Sequence, residues 1–153
     1  MIKFVDTKVV FEEIPDKVTL AVSISECPFH CDGCHSNYLQ GNLGNELNEI
    51  VIDELLKNND GVNCFLFMGD GNDTKRICEL AGYIKKNYPN IKIAIYSGYD
   101  KVKEEYISTF DYIKIGKWQK DFGPLNCETT NQRLYLNENS KLSDITYKFW
   151  KRL

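Results

Sequence analysis

Val18-Thr19-Leu20-Ala21-Val22-Ser23-Ile24-Ser25 is the stretch on which the fold of this chain turns. It is rich in β-branched residues and carries no charge. A run of that kind fits a strand buried on both faces, as in a parallel sheet. Cysteines follow at once, in Cys27-Pro28-Phe29-His30-Cys31-Asp32-Gly33-Cys34-His35. Any chemistry of that segment therefore sits on the loop that leaves a buried strand.

Upstream, Ile2 to Phe11 mixes β-branched and charged residues and predicts one or two short strands with a turn near Asp6-Thr7. Glu13 to Lys17 reads as a loop broken by Pro15. Downstream, Glu46 to Lys57 places Leu47, Ile50, Val51, Leu55 and Leu56 at helical spacing. Val62 to Met68 is a second buried strand, ended by Gly69-Asp70-Gly71. A helix over Thr74 to Tyr88 follows, then strand Ile91 to Tyr96 ended by Ser97-Gly98, a short helix over Lys101 to Ser108, and strand Tyr112 to Ile115. Gln132 to Leu136 reads as one further strand, and Ser143 to Trp150 as a tail with apolar Ile145, Phe149 and Trp150.

Strand and helix alternate from residue 18 to about 115, the pattern of right-handed crossovers in a parallel sheet. A closed eight-unit barrel takes about 250 residues, and this chain has 153. The expectation is a single domain over residues 1–153, of α/β class. Its architecture is an incomplete, open (β/α) barrel with a mostly parallel sheet.

Composition narrows the function classes. Lys plus Arg total 19 and Asp plus Glu 22, a formal net charge of -3. With no long basic run, nothing predicts nucleic-acid binding. No run approaches the ~18 apolar residues of a membrane span, and the start Met1-Ile2-Lys3 has no apolar secretory core. The expected location is the cytoplasm, where clustered cysteines are more often metal ligands or catalytic groups than disulfides.

The cysteine spacing is C-x3-C-x2-C. Two short intervals let one loop wrap three sulfurs around one centre, and Pro28 and Gly33 suit the tight turns required. Iron–sulfur clusters are held by thiolates, normally four. Three ligands, Cys27, Cys31 and Cys34, leave one iron of a [4Fe–4S] cluster open to a substrate. Other readings compete. One is a zinc site with His30 or His35 as fourth ligand, although no second C-x2-C is present. Another is a fully ligated electron carrier that uses Cys64 or Cys127. In α/β folds ligands lie beyond the carboxyl ends of the strands. The cysteine loop, Gly69-Asp70-Gly71, Ser97-Gly98-Tyr99 and Gly116-Lys117 are all expected there, ringing one site.

The cysteine motif after the first core strand resembles the radical S-adenosylmethionine superfamily. Further segments resemble one subgroup, the activating enzymes of anaerobic ribonucleoside-triphosphate reductase. These are Cys34-His35 with Asn37, Phe67-Met68-Gly69, Tyr96-Ser97-Gly98-Tyr99, Asp111-Tyr112-Ile113-Lys114, Thr129 to Tyr135, and Asp144-Ile145-Thr146-Tyr147. The resemblance spans nearly the whole chain. It implies two cofactors, the [4Fe–4S] cluster and S-adenosylmethionine, whose amino and carboxylate groups chelate the open iron. Reductive cleavage would yield a 5′-deoxyadenosyl radical that takes a hydrogen from a glycine of the reductase. The implied partners are that reductase and a flavodoxin-like or ferredoxin-like electron donor, with no nucleic acid and no membrane.

By the same resemblance, Gly33, Cys34 and His35 would lie beside the adenine, and Gly69 at the amino group of the methionine part. Ser97 and Lys114 would face the same cavity. Lys114 would pair with the carboxylate if it points inward; otherwise it is a solvated strand-end lysine. Related enzymes carry Gly-Gly-Glu or Gly-Gly-Asp after the second core strand, where this chain has Gly69-Asp70-Gly71-Asn72-Asp73. The acidic contact would then fall to Asp70 or to Asp73. The alternatives are an activase of another glycyl-radical enzyme, another small radical S-adenosylmethionine enzyme, and a non-catalytic iron–sulfur or zinc module.

Overall fold

A computed structural model describes residues 1–26, 41–117, 119 and 121–150. Among them, eight strands form one sheet: β1 (Lys3–Val10), β2 (Thr19–Ile24), β3 (Asn45–Glu46), β4 (Cys64–Met68), β5 (Lys92–Tyr96), β6 (Tyr112–Ile115), β7 (Arg133–Glu138) and β8 (Lys141–Asp144). Three helices accompany them: α1 (Glu49–Asn58), α2 (Thr74–Asn87) and the short α3 (Glu104–Ile107). The order across the sheet is β3-β1-β2-β4-β5-β6-β7-β8.

The expected mostly parallel, open (β/α) barrel is overturned. β2, β4, β5 and β6 run parallel to one another. The four remaining pairings, β1 with β2, β1 with β3, β6 with β7 and β7 with β8, are antiparallel. The molecule is thus a mixed sheet with few helices. The reason lies in the connections. A parallel pairing needs a long crossover, usually a helix. The strand–helix alternation supplies crossovers only as far as residue 115. Between β6 and β7 the described residues hold no helix, and the chain returns antiparallel. Between β1 and β2 a loop turned at Asp16 (φ 66) folds the strands back on each other.

The two faces of the sheet are covered differently. Alternate residues Leu20, Val22 and Ile24 of β2, Phe65 and Phe67 of β4, Ile93 and Ile95 of β5 and Ile113 of β6 form one core with Ile52, Leu56, Ile77, Leu80, Ala81, Ile84 and Tyr106 of the helices. On the other face Ala21, Cys64, Leu66, Ala94, Tyr112 and Leu134 pack under Ile14 and Ile145, which come from the β1–β2 loop and the C-terminal segment. Strands buried on both faces explain the uninterrupted apolar runs of the sequence. Helix α1 buries Ile52 and Leu56, whereas Ile50 is 71% exposed, so its helical face is rotated from the expected one. Asn48 and Asp73 cap α1 and α2, accepting from the backbone N–H groups of Val51 and Arg76.

Two edge strands escape the sequence reading. β3 is two exposed polar residues. β8 follows β7 through Asn139 (φ 52) and Ser140 (φ 67), a two-residue hairpin turn with both residues left-handed. Without a glycine there, the usual hairpin signal is missing. In place of the expected turn at Asp6-Thr7, β1 runs through with a bulge between Phe4 and Thr7.

Candidate functional site

The cysteine loop leaves the carboxyl end of β2. Cys27, Cys31, Cys34, Gly33 and His35 lie outside the described residues, but both ends of their segment are described. Glu26 (φ 59) donates its backbone N–H to the Gly41 carbonyl at 3.1 Å. The Ser25 hydroxyl donates to the Leu43 carbonyl at 2.7 Å, and the Ser25 N–H to the Lys3 carbonyl at 3.0 Å. Lys3 Nζ reaches Asn42 Oδ1 at 2.6 Å. From the neighbouring loop, Asn72 Nδ2 donates to Glu26 Oε2 at 2.6 Å. The chain therefore departs at residue 26 and returns at residue 41 through a hydrogen-bonded base, which lowers the entropy cost of holding ligands within the segment.

Because β2, β4, β5 and β6 are parallel neighbours, their carboxyl ends lie along one edge of the sheet. The register aligns Ser23, Met68, Tyr96 and Lys114 across it, all on the face opposite the helices. The expected strand-end residues are therefore brought to one edge. Gly69 (φ 129) and Gly71 (φ 62) adopt backbone conformations that L-residues avoid. A Cβ on Gly71 would stand 3.0 Å from Ile2 Cδ1 and 3.1 Å from Ile24 Cγ2, so this turn packs closely on the strand that leads to the cysteines.

Lys114 is buried, 8% exposed, with Nζ 5.1 Å from the centre of the Tyr96 ring. It is not a solvated strand-end lysine. The Tyr96 hydroxyl donates to the Glu13 carbonyl, and burial, with the Glu13 charge next in weight, pushes its pKa up. Beside this row a cavity of about 390 Å³ opens between β1, β2 and β4, lined by Asp6, Lys8, Glu13, Ser23 and Met68 among others. The bulge in β1 places Asp6 and Lys8 on this face, and bulges commonly re-aim side chains beside functional sites. Sequence reasoning missed Glu13, whose loop reads as a plain connection.

Asp70 and Ser97 are both buried. Asp70 Oδ2 accepts the Gly98 N–H at 2.8 Å, and Oδ1 accepts the Tyr106 hydroxyl at 2.6 Å. Ser97 Oγ accepts the Tyr99 N–H at 3.2 Å. Asp73 is occupied as the α2 cap and lies 3.5 Å from the N-terminal ammonium. Tyr106, which sequence periodicity marks only as part of a short helix, is thus a partner of the site.

The other cysteines are dispersed. Cys64 starts β4, at the end of the sheet opposite to the cysteine loop, and burial pushes its thiol up to about 12. Fully buried and paired with the start of β2, it is poorly placed to serve as a ligand. Cys78 is half-buried on α2, its thiol raised mainly by desolvation, and Cys127 is exposed. Among the described residues no group of His, Cys, Asp and Glu gathers into a metal site. Cys27, Cys31 and Cys34, the expected cluster ligands, lie in the segment that follows β2, outside the described residues. No helix among the described residues is long and apolar enough to cross a membrane.

A family model described as a 4Fe-4S single cluster domain matches residues 17–134, from just before β2 to the start of β7. No curated protein and no solved structure gives a significant match.

Proposed function

Because the chain belongs to the 4Fe-4S single cluster domain family, we propose that it is a radical S-adenosylmethionine enzyme that activates anaerobic ribonucleoside-triphosphate reductase. The observation that carries this reading is the sequence spacing of Cys27, Cys31 and Cys34, with no fourth cysteine in the segment, between described ends that hydrogen-bond to each other after β2. Cys27, Cys31 and Cys34 would hold the cluster. Bound there, it would supply the electron that cleaves the sulfonium of S-adenosylmethionine and starts hydrogen abstraction from the reductase glycine. The chain's own residues bind and orient. The Gly33-Cys34-His35 segment would lie against the adenine, and Gly69, Asp70, Ser97 and Lys114 would shape the edge where the methionine part rests. The buried Lys114 ammonium suits a carboxylate. A flavodoxin-like or ferredoxin-like protein would be the electron donor, and the cytoplasm the location.

The test is anaerobic reconstitution with iron and sulfide, followed by reduction in the presence of S-adenosylmethionine and the cognate reductase. The expected results are release of 5′-deoxyadenosine and a glycyl-radical signal by EPR on the reductase. An intact cluster that yields neither would refute the reading. Cleavage without a radical on this reductase would point to another glycyl-radical partner.

A second reading, an electron carrier with four protein ligands, draws on the exposure of Cys127 in the segment that follows β6. Cys127→Ser separates the two. The activase reading expects unchanged iron content, and loss of the cluster would favour the carrier.

The closed base adds a prediction of its own. Ser25 is 1% exposed, and Ser25→Ala removes the bond to Leu43. A hydrogen bond worth about 1 kcal/mol corresponds to roughly fivefold faster loss of iron to an excess of chelator. The fading of visible absorbance measures it, and Ser25→Thr, which keeps the hydroxyl, is expected to restore much of the retention.

A further inference from the structure

The acid of the Gly69-Asp70-Gly71 turn stands where the resemblance puts a contact to the amino group of the ligand. Its geometry is that of a brace. Asp70 is 2% exposed, and each carboxylate oxygen already accepts a short hydrogen bond from a different element. One donor is the Gly98 backbone N–H, on the loop after β5. The other is the Tyr106 hydroxyl on α3, whose ring belongs to the core on the helix side of the sheet and packs edge-on against Phe110 at 5.3 Å. The carboxylate therefore engages the helix layer, whereas Tyr96 and Lys114 lie on the opposite face.

What Asp70 holds is a turn. The Tyr99 N–H is bound by Ser97 Oγ, the Tyr99 carbonyl accepts the Gly116 N–H at 2.7 Å, and the Ser97 N–H donates to the Lys114 carbonyl at 2.8 Å. Asp70 fixes the remaining amide, that of Gly98, from the loop after β4. Lys103 flanks the same cluster, its Nζ 3.8 Å from the centre of the Tyr99 ring and 2.9 Å from Thr74 Oγ1. The loops after β4, β5 and β6 are thereby joined into one unit.

We propose that Asp70 is a positioning residue: it holds the Ser97-Gly98-Tyr99 turn in the shape that binds S-adenosylmethionine and makes no contact with the ligand itself. The role of that turn in ligand binding rests on the function proposed above. The role of Asp70 in holding it does not.

Charge and geometry can be separated because the Tyr106 hydroxyl both donates and accepts. In Asp70→Asn, Oδ1 can still accept the Gly98 N–H while Nδ2 donates to the Tyr106 oxygen, so the shape survives without the charge. Asp70→Ala removes both. Two readouts follow: hydrogen exchange at the Gly98 amide, and the affinity of the cluster-loaded protein for S-adenosylmethionine by calorimetry. Asp70→Ala is expected to speed Gly98 exchange and to weaken binding, each by about tenfold or more, the equivalent of one lost buried hydrogen bond. Asp70→Asn is expected to stay within about threefold of wild type in both. An Asp70→Asn protein that keeps Gly98 protected but binds as weakly as Asp70→Ala would overturn the proposal, because the charge would then be acting on the ligand. So would unchanged Gly98 exchange in Asp70→Ala. If Asp70→Ala fails to fold, Asp70→Asn alone still decides between charge and shape. If wild-type protein binds no S-adenosylmethionine, the proposed function fails, and the exchange data still decide whether Asp70 holds the turn.

Discussion

Cys34→Ala is expected to abolish cluster binding and every activity that depends on it. Even groups that only hydrogen-bond to a metal ligand are commonly worth 10–100-fold in affinity. Loss of one of three thiolates should therefore lower iron retention by on the order of 100-fold or more. Two of the scattered cysteines are poorly placed to substitute, since Cys64 is buried at the opposite end of its strand and Cys78 is half-buried on α2. Cys127, exposed after β6, is the one that Cys127→Ser tests. Iron and sulfide analysis after anaerobic reconstitution gives the answer. The apo fold should be retained by circular dichroism, because the described residues by themselves build two hydrophobic cores around the sheet. A Cys34→Ala protein that retains a full cluster would show that the ligand set has been misassigned.

Phe67→Ala should be the most damaging single change to the fold. Phe67 is fully buried on β4, an inner strand of the sheet, with ring centres 5.0 Å from Phe65 and 5.8 Å from Phe110, the latter edge-on. Truncation removes transfer free energy and leaves a cavity that a sheet flanked by helices cannot close. The expected cost is about 3–5 kcal/mol, measured by denaturant unfolding of the apo protein. The damage also reaches the site, since Phe110 supports Tyr106 and Tyr106 holds Asp70. Phe11→Ala supplies the contrast. Phe11 is 68% exposed, and its loss should fall within about 0.5 kcal/mol of wild type.

The central strands were legible because burial on both faces leaves an unmistakable pattern. Val18 to Ser25, Val62 to Met68, Ile91 to Tyr96 and Tyr112 to Ile115 correspond to β2, β4, β5 and β6, and the alternation with helices predicted their parallel pairing. The expected barrel was wrong, because pairing direction beyond residue 115 depends on how the connection returns, and it returns antiparallel. Nothing in Gln132 to Leu136 says which way that strand runs beside its neighbour. The edge strands β3 and β8 were missed because short polar strands have no burial to report. Ile50 belongs to the same lesson: apolar spacing located the helix, while packing chose which stripe faces the sheet.

At the site the division is just as physical. By itself the sequence determined residue types and their spacing: three cysteines at C-x3-C-x2-C, glycines where strands end, and a lysine on the last parallel strand. Spacing and residue type carry that information locally. Only the tertiary structure decided what each group faces. It closed the base of the cysteine loop through Ser25 and Glu26, buried Lys114 against Tyr96, and turned both oxygens of Asp70 onto Gly98 and Tyr106. Those partners come from strands and helices far apart in the chain, and a hydrogen bond between distant elements leaves no trace in the order of the residues that make it.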